Sequence, residues 1–124
     1  MLRKVSVTIL TDASGDATDY VGGQLSGEIV AVHYDGNLAA NADFEITGET
    51  SGLEIITITN AAASAAAWYP RILPNKHTDG AAFTDAAAEP PRVYGERIKI
   101  VIADGGNADT GVLTFYIKDD TFVE

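Results

Sequence analysis

Apolar and polar residues alternate along most of this chain, with the period of two that marks extended strands. In residues 4–11, KVSVTILT, Val5, Val7 and Ile9 share one side of a strand, and Ser6 and Thr8 share the other. Residues 25–34, LSGEIVAVHY, set Leu25, Ile29 and Ala31 against Val30, Val32 and Tyr34, which predicts a strand covered in part on both faces. Short runs follow at 42–47, with Phe44 and Ile46, and at 53–59, LEIITIT. A closing pair spans 97–103, where Ile98, Ile100 and Ile102 alternate with Arg97, Lys99 and Val101, and then 112–118. Gly, Asn and Asp bound each run, as turns require.

Helical signal is weak. The segment NAAASAAAW, residues 60–68, offers Asn60 as a cap on an alanine run but no apolar stripe, so it predicts one helical turn at most or an extended loop. No periodic run exceeds roughly ten residues, which argues against alternating β and α units. The pattern therefore predicts a single all-β domain over 1–124: an antiparallel β-sandwich or jelly-roll-like fold of six to eight strands, with one long irregular loop at 60–95. That loop holds all four prolines and the segments WYPR and PPRVYGER. An irregular segment of such length is a candidate for interaction. Trp68 has two readings of equal weight, a plug at the open end of the sandwich or an interface anchor.

Composition narrows the partners. Eight Lys and Arg against 18 Asp and Glu give a formal charge of −10, which opposes nucleic acid and anionic membranes. The absence of cysteine removes disulfides, thiolate metal sites and cysteine nucleophiles. The opening MLRKVSVTIL has neither the apolar core of a signal peptide nor the length of a membrane span.

Candidate chemistry is sparse. Asp104, Asn107 and Asp109 in DGGNADTG, and Asp12, Asp16 and Asp19 in DASGDATDY, carry oxygen ligands suited to calcium. Their spacing does not fit an EF-hand, and the glycines suit hairpin loops, so both are expected to be hairpin rims. His33 and His77 lack zinc-ligand spacing. Glu28, Glu45 and Glu54 lie on predicted strands and read as outward-facing carboxylates, not as a glycosidase pair. No catalytic residue, metal ligand or cofactor motif emerges, and the expectation is that the chain is not an enzyme.

Taken in order, TDASGDAT, GEIVAVHYDG, ADFEITGETSGLEIITITN, AWYPR and ERIKIVIADGGNADTGVLTFYI resemble a group of small virion-associated proteins of tailed bacteriophages, over nearly the whole chain. These are similar in kind to capsid decoration, or cement, proteins. The resemblance implies a β-rich module assembled in the host cytoplasm onto the capsid surface of the virion. There it would bind the major capsid protein and sister copies, as a homotrimer, and stabilise the head. Trp68, Tyr69, Pro70, Arg71, Arg92 and Tyr94 are the candidate interface residues. A head-to-tail or tail component, or a calcium- or carbohydrate-binding β-sandwich module, are the alternatives.

Overall fold

Alternating Val, Ile and Thr form strands where the pattern predicts them, and two strands run well past their predicted ends. The computed structural model describes residues 2–61, 67–72, 79–80 and 88–119. The elements are β1 (Leu2–Leu10), β2 (Ala17–Gly36), β3 (Asp43–Gly48), β4 (Glu54–Ile58), β5 (Ala67–Trp68), β6 (Arg92–Ala103) and β7 (Thr110–Asp119). Among the described residues there is no helix. The expected turn at 60–68 is not helical at its ends: Asn60 has a φ of 55° and Trp68 pairs in a strand, while 62–66 lie outside the described residues.

Every strand pairing is antiparallel, in the order β1-β7-β2-β6-β3-β4, with β5 also on β2. The 20-residue β2 organises this sheet. Its first part, Ala17–Glu28, pairs with β6, and its second part, Gly27–Gly36, pairs with β7. The sheet thereby folds over itself into a sandwich-like β structure. Ile29, Val32, Leu113, Phe115 and Ile117 from one half join Phe44, Ile46, Ile98, Ile100 and Ile102 from the other in one buried cluster.

The first part of β2 is hidden from sequence reading by Gly22 and Gly23, which look like a turn. They form a bulge instead: Val21 pairs with Ile98 and Leu25 with Glu96, so the extra residues of β2 loop out while pairing continues. A second irregularity at Val30 corrects the predicted facing. Ile29 pairs with Ile117 and Ala31 with Tyr116, so the extra residue shifts the phase and buries Ile29 and Val32 together. β6 begins at Arg92, ahead of the predicted 97, because Gly95, with φ 65°, absorbs a bulge within the strand.

Where β2 changes partners, Gly27 lies opposite Val93 of β6 and Asp119 of β7. Its φ is 147°, and a Cβ there would stand 2.1 Å from the Lys118 carbonyl oxygen. Neither the conformation nor the space admits a side chain. Gly27→Ala is expected to lower unfolding free energy by more than about 1 kcal/mol, whereas Gly23→Ala, with open space around its Cβ, is expected to be neutral or mildly stabilising. Urea unfolding followed by circular dichroism compares them, and equal midpoints would contradict this account of the crossing.

Candidate functional site

The six candidate interface residues divide by position and by exposure. Ala67 and Trp68 pair with His33 and Val32, on the edge of β2 that β6 has left. Because Trp68 is in register with the buried Val32, its indole turns toward the core. It meets Phe44 edge-on at 5.9 Å between centroids, and Phe44 meets Tyr34 in the same manner at 5.6 Å. The Tyr34 hydroxyl accepts the Leu38 N–H at 2.9 Å. Trp68 thus joins a chain of edge-to-face aromatics that closes one end of the sandwich. That inward packing is what the plug reading expects of the half-buried Trp68.

The next residues alternate outward and inward. Tyr69 is 67% exposed, Pro70 is buried, and Arg71 is exposed, its guanidinium donating to the Pro70 carbonyl at 2.6 Å. Ile72 exchanges two backbone hydrogen bonds with Glu89, which ties together the two ends of the excursion between them. Tyr69–Ile72 and Glu54–Thr57 of the edge strand β4 line an open groove of about 410 Å³.

Arg92 and Tyr94 sit elsewhere. Their ladder partners on β2 are Glu28 and Ser26, four and six positions from the Trp68 partner Val32, or roughly 13 and 20 Å along an extended strand. Arg92 pairs with Glu28 at 3.2 Å across the ladder, and Tyr94 projects with 61% exposure. The exposed Tyr69 and Tyr94 therefore lie on separate parts of the surface.

A buried carboxylate, passed over in the sequence reading, sits behind Tyr94. Glu96 follows the Gly95 bulge in phase with Ile98, Ile100 and Ile102, and like them it turns inward. Its Oε1 accepts the N–H groups of Thr50 and Ser51, each at 2.8 Å, and its Oε2 accepts the Tyr94 N–H at 3.3 Å. Gly48 leaves room for the carboxylate, since a Cβ there would lie 2.6 Å from Oε1. Burial alone would raise the Glu96 pKa. The donors of Ser51, Thr50 and Tyr94 outweigh it and hold the group below the ordinary carboxylate value. On the outer side of the same connection, Arg97 binds Glu49 at 2.5 Å and lies 4.4 Å over the Tyr20 ring. The tight alternation ERIKIVI was the signal available for Glu96, because it places position 96 on the isoleucine face.

The two Asp-rich loops are not hairpin rims. β1 pairs with β7 but not β2, and β6 pairs with β2 and β3 but not β7, so 11–16 and 104–109 are arches joining strands that do not touch as partners. The arches hold each other. The buried Thr11 hydroxyl donates to the Gly106 carbonyl at 2.6 Å and accepts the Asp109 N–H at 3.0 Å, and the Gly105 N–H donates to the Gly15 carbonyl at 2.7 Å. Asp12 Oδ1 accepts the N–H groups of Ser14 and Asp16. Among the described residues no three His, Cys, Asp or Glu side chains gather as a metal site requires.

The remaining candidates are dispersed. His33 is exposed on β2, and His77 lies outside the described residues. Glu54 accepts the Thr57 hydroxyl at 2.5 Å, Glu28 holds Arg92, and Glu45 is exposed on β3, so each carboxylate has its own surroundings. Asp19, in phase with Ala17 and Val21 on β2, has its pKa raised by burial. Among the described residues, no helix is long and apolar enough to cross a membrane. Compared with models of known protein families and with curated sequences, the chain matches none.

Glu96 yields a pH prediction. Its folded pKa is lowered, so its stabilising contribution is present above the ordinary Glu value and is lost as pH falls through the folded one. Glu96→Gln is expected to cost about 1–3 kcal/mol at pH 7. The gap from wild type should narrow on acidification, because the native carboxylate then becomes protonated. Denaturant titrations at several pH values test this, and a gap independent of pH would exclude the charged role.

Proposed function

We propose that this chain is a structural protein of a tailed-bacteriophage virion, a capsid decoration or cement protein that binds the major capsid protein and stabilises the head. The order of the motifs quoted above supports that reading. The structural observation that carries it is the exposure of Tyr69, Ile72 and Tyr94 on backbone that is already tied down. Ile72 is bonded to Glu89, and the Gly95 N–H beside Tyr94 donates to Ser26 Oγ at 2.9 Å. Aromatic side chains held out on a fixed backbone lose little entropy on docking and bury much apolar area. Pro70 and Trp68 serve the anchor from beneath: they pack inward and set the alternation that sends Tyr69 outward.

Co-sedimentation of the purified chain with mature heads of the phage that encodes it tests the proposal. Wild type should be retained on heads, and Tyr69→Ala or Tyr94→Ala should weaken retention about tenfold or more, equivalent to at least ~1.4 kcal/mol. Trp68→Ala should instead lower thermal stability. Heads that fail to retain the wild-type chain would exclude the decoration role, and retention on tails or connectors would move the chain to the head-to-tail junction.

A further inference from the structure

The margins of this sheet differ in how they are finished. β4 has five residues and lies beside Tyr69–Ile72, and β5 has two. The first part of β2 carries Asp19 on its core-side face and is broken by the Gly22–Gly23 bulge. Short length, flanking chain, an inward carboxylate and a bulge are all means by which a sheet margin is kept from pairing with another chain. Among the described residues β1 shows none of these four, its only edge charges being Arg3 and Lys4. Its nine residues, Leu2–Leu10, match β7 in unbroken register from Leu2–Lys118 to Leu10–Thr110, without Gly, Pro or an acidic residue.

The bonding phase of β1 shows which backbone groups remain available. The Thr11 N–H donates to the Asp109 carbonyl at 3.0 Å, at the position that continues the β1–β7 ladder. Antiparallel pairing alternates hydrogen-bonded and non-bonded residue pairs, so Arg3, Val5, Val7 and Ile9 direct their backbone groups toward β7. Leu2, Lys4, Ser6, Thr8 and Leu10 direct theirs outward.

We propose that this outward edge of β1 pairs, antiparallel, with the same edge of a second copy of the chain, about a twofold axis at Ser6. Outward groups can bond only to outward groups, and centring on Ser6 engages all of them. Leu2 then lies opposite Leu10 of the second copy, Lys4 opposite Thr8, Ser6 opposite Ser6, and on the other face Val5 opposite Val7. Leu2 and Leu10, 66% and 62% exposed, are the most exposed large aliphatic side chains among the described residues, and both are on the outer face. The pairing covers each with the other. It also brings together a segment whose only charges are Arg3 and Lys4, on a chain whose net charge of −10 opposes contact elsewhere. Such an interface is self-complementary and closes at two copies, not three. The inference does not rest on the capsid reading.

Light scattering at about 100 μM gives the mass. Wild type should show twice its 13.0 kDa. The chain has no cysteine, so Ser6→Cys and Thr8→Cys can be compared with diamide as oxidant, which takes up two electrons and two protons as two thiols become a disulfide. Residue 6 meets its mate at about 5.5 Å between Cα atoms, within disulfide reach, while residue 8 is about 14 Å from its own mate. Ser6→Cys should therefore cross-link at least about tenfold faster than Thr8→Cys. A monomeric or trimeric wild type, or a Ser6→Cys chain that cross-links no faster than Thr8→Cys, would overturn the proposal.

Discussion

At Gly27 a single stretch of backbone is bonded on both sides, and the remainder of the molecule follows from that double use. β6 approaches one edge of β2 and β7 the other. The Lys118 carbonyl comes so near that only a hydrogen atom fits on the α-carbon. With any side chain at this point the two halves of the sheet would have to separate. The core would then lose its common wall, since Ile29 and Val32 beyond the crossing pack with Ile98 and Ile100 from before it. The irregularities on either side, at Gly22–Gln24 and at Val30, let a strand that serves two partners keep its apolar residues inward despite the bend.

Polar groups at the ends of the sandwich are arranged under the same constraint, because arches and turns must bring buried backbone N–H groups to acceptors. Glu96 does this from inside for the β3–β4 connection, and Arg97 grips the same connection through Glu49 from outside. At the arches, Thr11 acts as both donor and acceptor between two loops that would otherwise leave backbone groups unpaired. No side-chain nitrogen or oxygen that is buried among the described residues lacks a partner. Local geometry also engages an aspartate of these loops. Asp12 caps its own turn through Oδ1.

Much of this was legible in the sequence, and the failures have physical causes. β1, β3 and β7 lie where alternation placed them, because each keeps one phase from end to end, and β4 lies there too although its ladder with β3 shifts by one residue at Ile55. The opening of β2 and that of β6 were missed, since Gly22, Gly23 and Gly95 resemble turns when read locally and become bulges only when a partner strand continues past them. In the sequence the arches read as hairpin rims, because a glycine-rich loop between two strands does not say whether those strands are neighbours. Of the candidate interface, Tyr69, Arg71 and Tyr94 are exposed, Trp68 is turned inward by the register of β5, and Pro70, just beyond that strand, is buried. Glu96 could have been found from parity alone, but an acidic residue in phase with isoleucines is easily taken for the end of a strand.

The arches have one more consequence, which concerns time. Among the described residues β3 and β4 are the only consecutive strands that pair with each other; every other ladder joins strands that do not follow one another. The hydrogen bond between Ser6 and Thr114 closes a separation of 108 residues. Chains built this way must lose most of their loop entropy before non-local contacts return any stabilisation, and they fold slowly for that reason. During synthesis β1 leaves the ribosome early and waits, unpaired, until β7 has emerged to receive it. The β1–β7 ladder is thus among the last that translation permits to close.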